Sequence, residues 1–275
     1  MKLGLGLGLQ YGRKTTSGGG EQLFLDKYSG ASFAVSATRK LISSYNGDLM
    51  EVRRANNDVG YIGTVNGVLD IASLMAFSQG GLVAVPRIYS QLNASDDYVQ
   101  NIVTRQGLIV DVNGDLNELN GQPVILRSAD DNGGYISDFD TRTGIQNKGY
   151  FYIGKNTANK LSIIFSNTNE GAIGYYSRDV NTSPATSIIS PTNERLNGAT
   201  WNYVNRNGVY DDTLEQFILS ANMDFNFGEA SKSLGYRFSN PSNIGMFAFQ
   251  EEIIFNNTDD QLSKEIDLNN FYNAY

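Results

Sequence analysis

Leu119-Asn120-Gly121-Gln122-Pro123-Val124-Ile125-Leu126 decides the architecture in one short span. Asn and Gly both tolerate positive φ, so Asn-Gly makes the two-residue turn whose twist suits a β-hairpin, and strand-forming residues follow at once. The dipeptide recurs at Asn46-Gly47, Asn66-Gly67, Asn113-Gly114, Asn132-Gly133, Asn197-Gly198 and Asn207-Gly208. Between the turns lie short β-rich runs at Leu49–Val52, Leu108–Val110, Pro123–Leu126, Gly149–Ile153, Leu161–Phe165, Phe217–Ser220, Asp224–Phe227 and Glu251–Phe255. Many short strands joined by turn chemistry predict an antiparallel sandwich. Two segments depart from that pattern. Leu69–Phe77 has apolar residues at helical spacing and stops near Gly80-Gly81, which predicts a short helix. Thr258-Asp259-Asp260-Gln261 has a capping-box pattern, and Leu262, Ile266 and Phe271 continue as an apolar stripe, so a closing helix should pack on the sandwich.

The 275 residues suffice for one large all-β domain or two small ones, and no second boundary is visible after residue 22. Hydrophobic residues make up 40% and charged residues 18%, enough for a sizeable core under a polar surface. There is no Cys and no His. Disulfides, Cys/His zinc sites, thiol nucleophiles, Ser-His-Asp catalysis and histidine switching are therefore excluded. Carboxylates, Tyr, Lys, Arg and oxygen-ligated metals remain for chemistry, and no cofactor is expected. The net charge of −8 argues against a nucleic-acid surface. No apolar run approaches the roughly 18 residues of a membrane span.

Leu3, Leu5, Leu7 and Leu9 alternate with glycines, which interrupts the apolar run a signal peptide needs. In an extended chain the four leucines share one face. Gln10–Gly20 reads as a flexible linker. The leucine face is expected to anchor the chain on a partner; a strand of the chain's own domain, or a disordered tail, is the bland alternative.

Tyr28–Ser36, Arg39–Leu41, Tyr45–Gly47, Val52–Arg54, Asn57–Tyr61 and Leu69–Ala72 resemble the opening of the arabinofuranosidase-B-like fold, a concanavalin A-like jelly roll. Gln106–Val110 and Leu119–Ile125 match a later landmark, whereas Arg87–Asn93 departs from the Trp-Tyr-Asp-Gln-Ser-Gly motif the resemblance leads one to look for. Gln250–Phe255 and Gln261–Tyr275 look like the closing strand and helix of laminin-G/concanavalin-like domains in virion proteins of tailed bacteriophages. The resemblance implies a concanavalin A-like sandwich over 23–275 behind an anchor and linker over 1–22. It does not fix an activity, since this sandwich hosts hydrolases, lectins and structural domains.

Glycoside hydrolysis with retention needs two carboxyls about 5 Å apart. The available ones include Asp96, Asp97, Asp130, Asp131, Asp138, Asp140, Asp211, Asp212, Glu251 and Glu252. No motif of the resembled enzymes appears between residues 128 and 245, and the chain is expected not to be an enzyme. In the alternation through Phe255, one of Glu251 and Glu252 should face solvent. Asp111–Asn117 superficially resembles a calcium loop, but Leu116 replaces the turn glycine and Gln122 the closing Glu, so an Asn-Gly turn explains it better and no metal is expected. Trp201, Tyr203, Tyr210, Asp211 and Asp212 combine rings with hydrogen-bonding groups, the mixture that reads a glycan; core packing of Trp201 and Tyr203 is the alternative. The resulting expectation is a virion surface protein, anchored by Leu3, Leu5, Leu7 and Leu9 to capsid or tail proteins. It would be a dimer or trimer, displaying a sandwich that adheres to host glycan. An arabinofuranosidase-type hydrolase is the alternative, and a secreted lectin the third class.

Overall fold

In a computed structural model of the chain, the described residues are 22–126, 135–137, 145–156, 165–167, 192–200, 214–225, 232–234 and 247–275. The first elements are α1 (Phe24–Lys27), β1 (Ala31–Ser36), β2 (Met50–Arg54), β3 (Val59–Ile62), β4 (Thr64–Val65), β5 (Val68–Leu69), α2 (Ile71–Ser78) and β6 (Val83–Ile88). Short strands follow: β7 (Tyr98–Val99), β8 (Gly107–Val110), β9 (Glu118–Leu119), β10 (Gln122–Pro123), β11 (Ile125–Leu126) and β12 (Tyr135–Ser137). The remainder are β13 (Ile145–Asn156), β14 (Phe165–Asn167), β15 (Thr192–Leu196), β16 (Ala199–Thr200), β17 (Phe217–Phe225), β18 (Lys232–Leu234), β19 (Phe247–Phe255) and α3 (Gln261–Tyr272).

The fold is an all-β sandwich with few helices, compatible with the concanavalin A-like expectation. One hydrogen-bonded path runs β14-β18-β12-β7-β6-β8-β11-β19-β13-β17-β15-β16, with β1 on β19, β2 on β6 and β3 on β2. It folds back at β11, which pairs with β8 on one side and β19 on the other. The halves therefore face each other: Tyr98 on β7 lies 5.4 Å from the Phe33 ring on β1. The core between them gathers Phe33, Val52, Val85, Tyr98, Tyr152 and Phe249, all fully buried. A second apolar layer lies outside the β1–β19–β13–β17 half, where α1 and α3 cover Ala34, Phe151, Ile218, Ile253 and Phe255.

Three Asn-Gly turns form as predicted. Asn66-Gly67 joins β4 to β5, Asn120-Gly121 joins β9 to β10, and Asn197-Gly198 joins β15 to β16, each with both residues at positive φ. The short helix is α2, whose Asp70 side chain accepts from the Ser73 N–H at 3.0 Å. Asp111 accepts from the Asn113 and Asp115 N–H groups at 2.8 and 2.9 Å, so that acidic segment is a self-capped turn.

The closing helix differs from expectation in two respects. The Asp260 side chain makes no cap hydrogen bond. Leu262 and Ile266 are exposed, at 54% and 48%, while Lys264, Glu265, Leu268 and Tyr272 face inward. The sheet decides this by what it offers. Arg195 Nε donates to Glu265 at 2.6 Å, the Gly198 N–H donates to the same carboxylate at 3.1 Å, and Lys264 lies 4.0 Å from the Phe255 ring centroid. Partners for buried charge outweigh a small gain in apolar area.

Accordingly, Leu268→Ala should cost about 2–5 kcal/mol by opening a cavity under α3. Leu262→Ala and Ile266→Ala should each stay within about 0.5 kcal/mol. Urea unfolding of the three variants checks this, and a large loss at Leu262 would overturn the inward face described here.

Candidate functional site

Strand alternation and one bulge build a polar, uncovered sheet face on β3, β2 and β6. On β2, Met50 and Val52 enter the core, so Glu51 and Arg53 point outward. Across the β2–β3 pair Glu51 opposes Tyr61, and across β2–β6 it opposes Arg87. Tyr61 is 59% exposed. Between the Glu51–Arg87 and Arg53–Ala84 pairs, β2 advances two residues and β6 three, which places a bulge at Val85-Pro86. Val85 and Ile88 can thus both face the core while Arg87 and Tyr89 turn outward.

Asp97 stands at the start of β7, one step beyond the Ile88–Tyr98 pair. Its Oδ1 accepts from the Ser90 N–H at 2.8 Å, and its Oδ2 accepts from Arg87 Nη1 at 3.2 Å. The Arg87 guanidinium lies 5.9 Å from the Tyr89 ring centroid. Tyr45, whose hydroxyl donates to the Asp48 carbonyl, closes one side. Burial raises the Asp97 pKa against the pull of Ser90 and Arg87, with the Asp96 charge adding to the rise. Burial, then Glu51, pushes the Tyr89 phenol up to about 12. Tyr45 is raised by burial and by the charges of Asp97 and Asp48. A carboxyl with raised proton affinity, a second carboxylate, one guanidinium and three phenol rings therefore share one face. Rings of this kind cover apolar sugar faces, and the charged groups hydrogen-bond hydroxyls.

The remaining carboxylates behave differently. Neither Glu251 nor Glu252 faces solvent, contrary to expectation, because α3 covers the outer face of β19. Glu251 accepts from Arg39 Nε and Nη2 at 2.9 and 2.8 Å and from the Tyr272 hydroxyl at 2.7 Å. Glu252 accepts from the Tyr98 hydroxyl at 2.7 Å inside the core. Burial first, and the Glu252 charge second, raise the Tyr98, Tyr150 and Tyr152 pKa values well above the ordinary phenol. Both glutamates are interior to the fold and unreachable by substrate.

Leu3, Leu5, Leu7 and Leu9 lie outside the described residues, as do Trp201, Tyr203, Tyr210, Asp211 and Asp212, and Asp130, Asp131, Asp138 and Asp140. Of the carboxyls singled out in the sequence, the open face contains Asp97. It adds Tyr45, Glu51, Tyr61, Arg87 and Tyr89. Their signal is the polar alternation in Met50-Glu51-Val52 and Gly60-Tyr61-Ile62, once hairpin register sets the strands side by side.

No family model matches the sequence, and no curated protein matches it. Three solved structures match the fold. An arabinofuranosidase complexed with arabinofuranosyl-α-1,2-xylobiose shares 15% identity at a TM-score of 0.55, with 85% of this chain and 61% of that one covered. A GH54 α-L-arabinofuranosidase soaked with a cyclic sulfate inhibitor gives the same identity and TM-score over 85% and 62%. A GH54 mutant soaked with 4-nitrophenyl α-L-arabinofuranoside gives 16%, 0.53, and 86% and 62%. The chain thus spans about three-fifths of these neighbours' length. These neighbours correct the expectation of a non-enzyme. All three neighbours that share this sandwich are arabinofuranosidases, and the fold gives no ground for setting hydrolysis aside. None of the three speaks for a bacteriophage origin.

The Asp97 shift has a measurable sign. Its native pKa lies above the ordinary 3.8, so the native protein holds that proton more tightly than the unfolded chain. The stability it contributes is fully present below the unfolded value and is lost as pH rises through the native one. Relative to Asp97→Asn, the parent should therefore lose stability in urea titrations as pH rises above the ordinary carboxyl value of 3.8. A difference that stays flat, or grows in the parent's favour, would show that Arg87 and Ser90 outweigh burial.

Proposed function

We propose that this chain is a glycan-acting sandwich that holds a saccharide across the Tyr45–Tyr61–Tyr89 face and hydrolyses an arabinofuranosyl-type linkage there. The observation that carries the reading is the bulge at Val85-Pro86. It turns Arg87 and Tyr89 onto the same open face as Glu51, Tyr61 and Asp97. The arabinofuranosidase neighbours support the substrate class at the level of the fold.

In this reading Asp97 is the acid. Its carboxyl donates a proton to the glycosidic oxygen as the bond to the anomeric carbon breaks, and burial favours the protonated form that this requires. Glu51, on the other side of Arg87, takes the proton of the water that adds to that carbon. Arg87 pairs with Asp97 at 3.2 Å and stands opposite Glu51 across the β2–β6 pair. The sugar's apolar face rests on Tyr61.

Release of nitrophenol from 4-nitrophenyl α-L-arabinofuranoside tests this. Asp97→Asn and Glu51→Gln should each lower kcat by about 10²–10⁴-fold. Tyr61→Ala should chiefly raise KM. A parent without turnover, or variants with unchanged kcat, would sink the hydrolytic reading.

A second proposal concerns placement and rests on the Leu3-Gly4-Leu5-Gly6-Leu7-Gly8-Leu9 alternation alone. The leucine face attaches the domain to a particle, for which a phage virion is the partner favoured by the sequence resemblance. The full chain should then co-sediment with virions depleted of it, and a chain lacking residues 1–20 should not. Equal pelleting of both would remove the anchor.

A further inference from the structure

We propose that the cleft between α1, the β4–β5 hairpin and α3 is a second saccharide site, selective for a sugar that carries a carboxylate (a uronate). It stands on the covered side of the sandwich and does not depend on the hydrolytic reading of the open face. The cleft has a volume of about 600 Å³, within the usual span of small-ligand sites. Although the chain carries a net charge of −8, the cleft walls hold three cations, Lys27, Arg39 and Lys40, against one carboxylate, Asp267.

Arg39 is the fixed point of this site. Its Nε and Nη2 are held by Glu251, which is fully buried, and its guanidinium lies 4.0 Å from the Phe271 ring centroid. Nη1 lies outside that bidentate pair and belongs to a group that needs no reordering when an anion arrives. Preorganisation of this kind lowers the entropic cost of binding. Lys27 is already paired with Asp267. Among the described residues, the Lys40 ammonium makes one long 3.4 Å contact, to Asn46 Oδ1, and Lys40 lines the cleft. Arg39 and Lys40 thus form a cationic end, where a planar carboxylate is matched by charge-assisted hydrogen bonds.

The rest of the lining suits a sugar ring. Asn66 and Asn270 supply amides that donate to and accept from hydroxyls, and Phe24 and Val68 supply apolar wall. A simple inorganic anion would use the cations and leave amides and rings idle. A neutral sugar would make no use of the Lys40 charge or of Arg39 Nη1. A uronate uses all three.

The test is a titration of the full chain with D-galacturonate, D-galactose and inorganic phosphate, followed by amide NMR. Galacturonate should shift the Asn66 and Asn270 side-chain amides saturably, with galactose and phosphate at least about tenfold weaker. Lys40→Gln, which touches no buried partner, should weaken galacturonate by about tenfold, and added salt should do the same. Three results would overturn the proposal: no saturable shift with galacturonate, equal affinity for galactose or for phosphate, or unchanged binding in Lys40→Gln. Shifts confined to Tyr61 and Tyr89 would assign the sugar to the open face and leave this cleft without a ligand.

Discussion

Strand β19 places two adjacent carboxylates in the interior, and most of the architecture answers to that constraint. Neighbouring residues in a strand point to opposite faces, so Glu251 and Glu252 cannot share a partner. Glu251 enters the layer under α3 and meets Arg39 and Tyr272. Glu252 enters the sandwich core and meets Tyr98 from the opposite half. A buried carboxylate stripped of its partner costs about 3–5 kcal/mol, a large share of any domain's stability. A one-residue slip of β19 would exchange the two environments and leave each carboxylate facing the wrong groups. The pair therefore specifies register as well as contact. It also makes α3 part of the sheet's own chemistry, because Tyr272 comes from its last turn.

That solution makes the sandwich asymmetric. The half built on β1, β19, β13 and β17 is covered on its outer face by α1 and α3, and its carboxylates are consumed in holding those helices. The half built on β3, β2 and β6 carries its polar residues outward, uncovered. Ligand chemistry needs groups that are positioned yet accessible, and Asp97 is placed at that boundary: 6% exposed, fixed by a backbone N–H and an arginine, and beside an exposed tyrosine ring. The cleft beside α1 follows the same logic by a different route. There the buried Glu251 immobilises Arg39 from behind, so a structural ion pair supplies a rigid cation to a surface site.

Much of the fold was legible because its turns are local. Asn66-Gly67, Asn120-Gly121 and Asn197-Gly198 demand positive φ from two successive residues, and that demand is met within the dipeptide. Asn46-Gly47 shows the limit. Neither residue adopts positive φ, and the Tyr45 phenol stands where a side chain on Gly47 would be. The existence of the closing helix was legible from spacing, but its inward face was not. Leu262 and Ile266 form an apolar stripe, yet the sheet offers Arg195 and aromatic rings, and these select Glu265 and Lys264 instead. Periodicity reports what a helix could bury, whereas the partner surface decides what it does bury.

The open face was the least legible part, and the cause is a single residue. Alternation read straight through Val83-Ala84-Val85-Pro86-Arg87-Ile88 sends Val83, Val85 and Arg87 to one side, which would put a guanidinium in the core. Pro86 cannot donate to a neighbouring strand, and β6 is paired on both sides, so the strand accommodates it with an extra residue. Past that point the alternation inverts. Ile88 takes the inward position, and Arg87 and Tyr89 move outward beside Glu51 and Asp97. A proline inside an otherwise uninterrupted β run is therefore the sequence signal for this site. It marks the place where the sheet gives up one hydrogen bond and in exchange aims a cation and a ring at solvent.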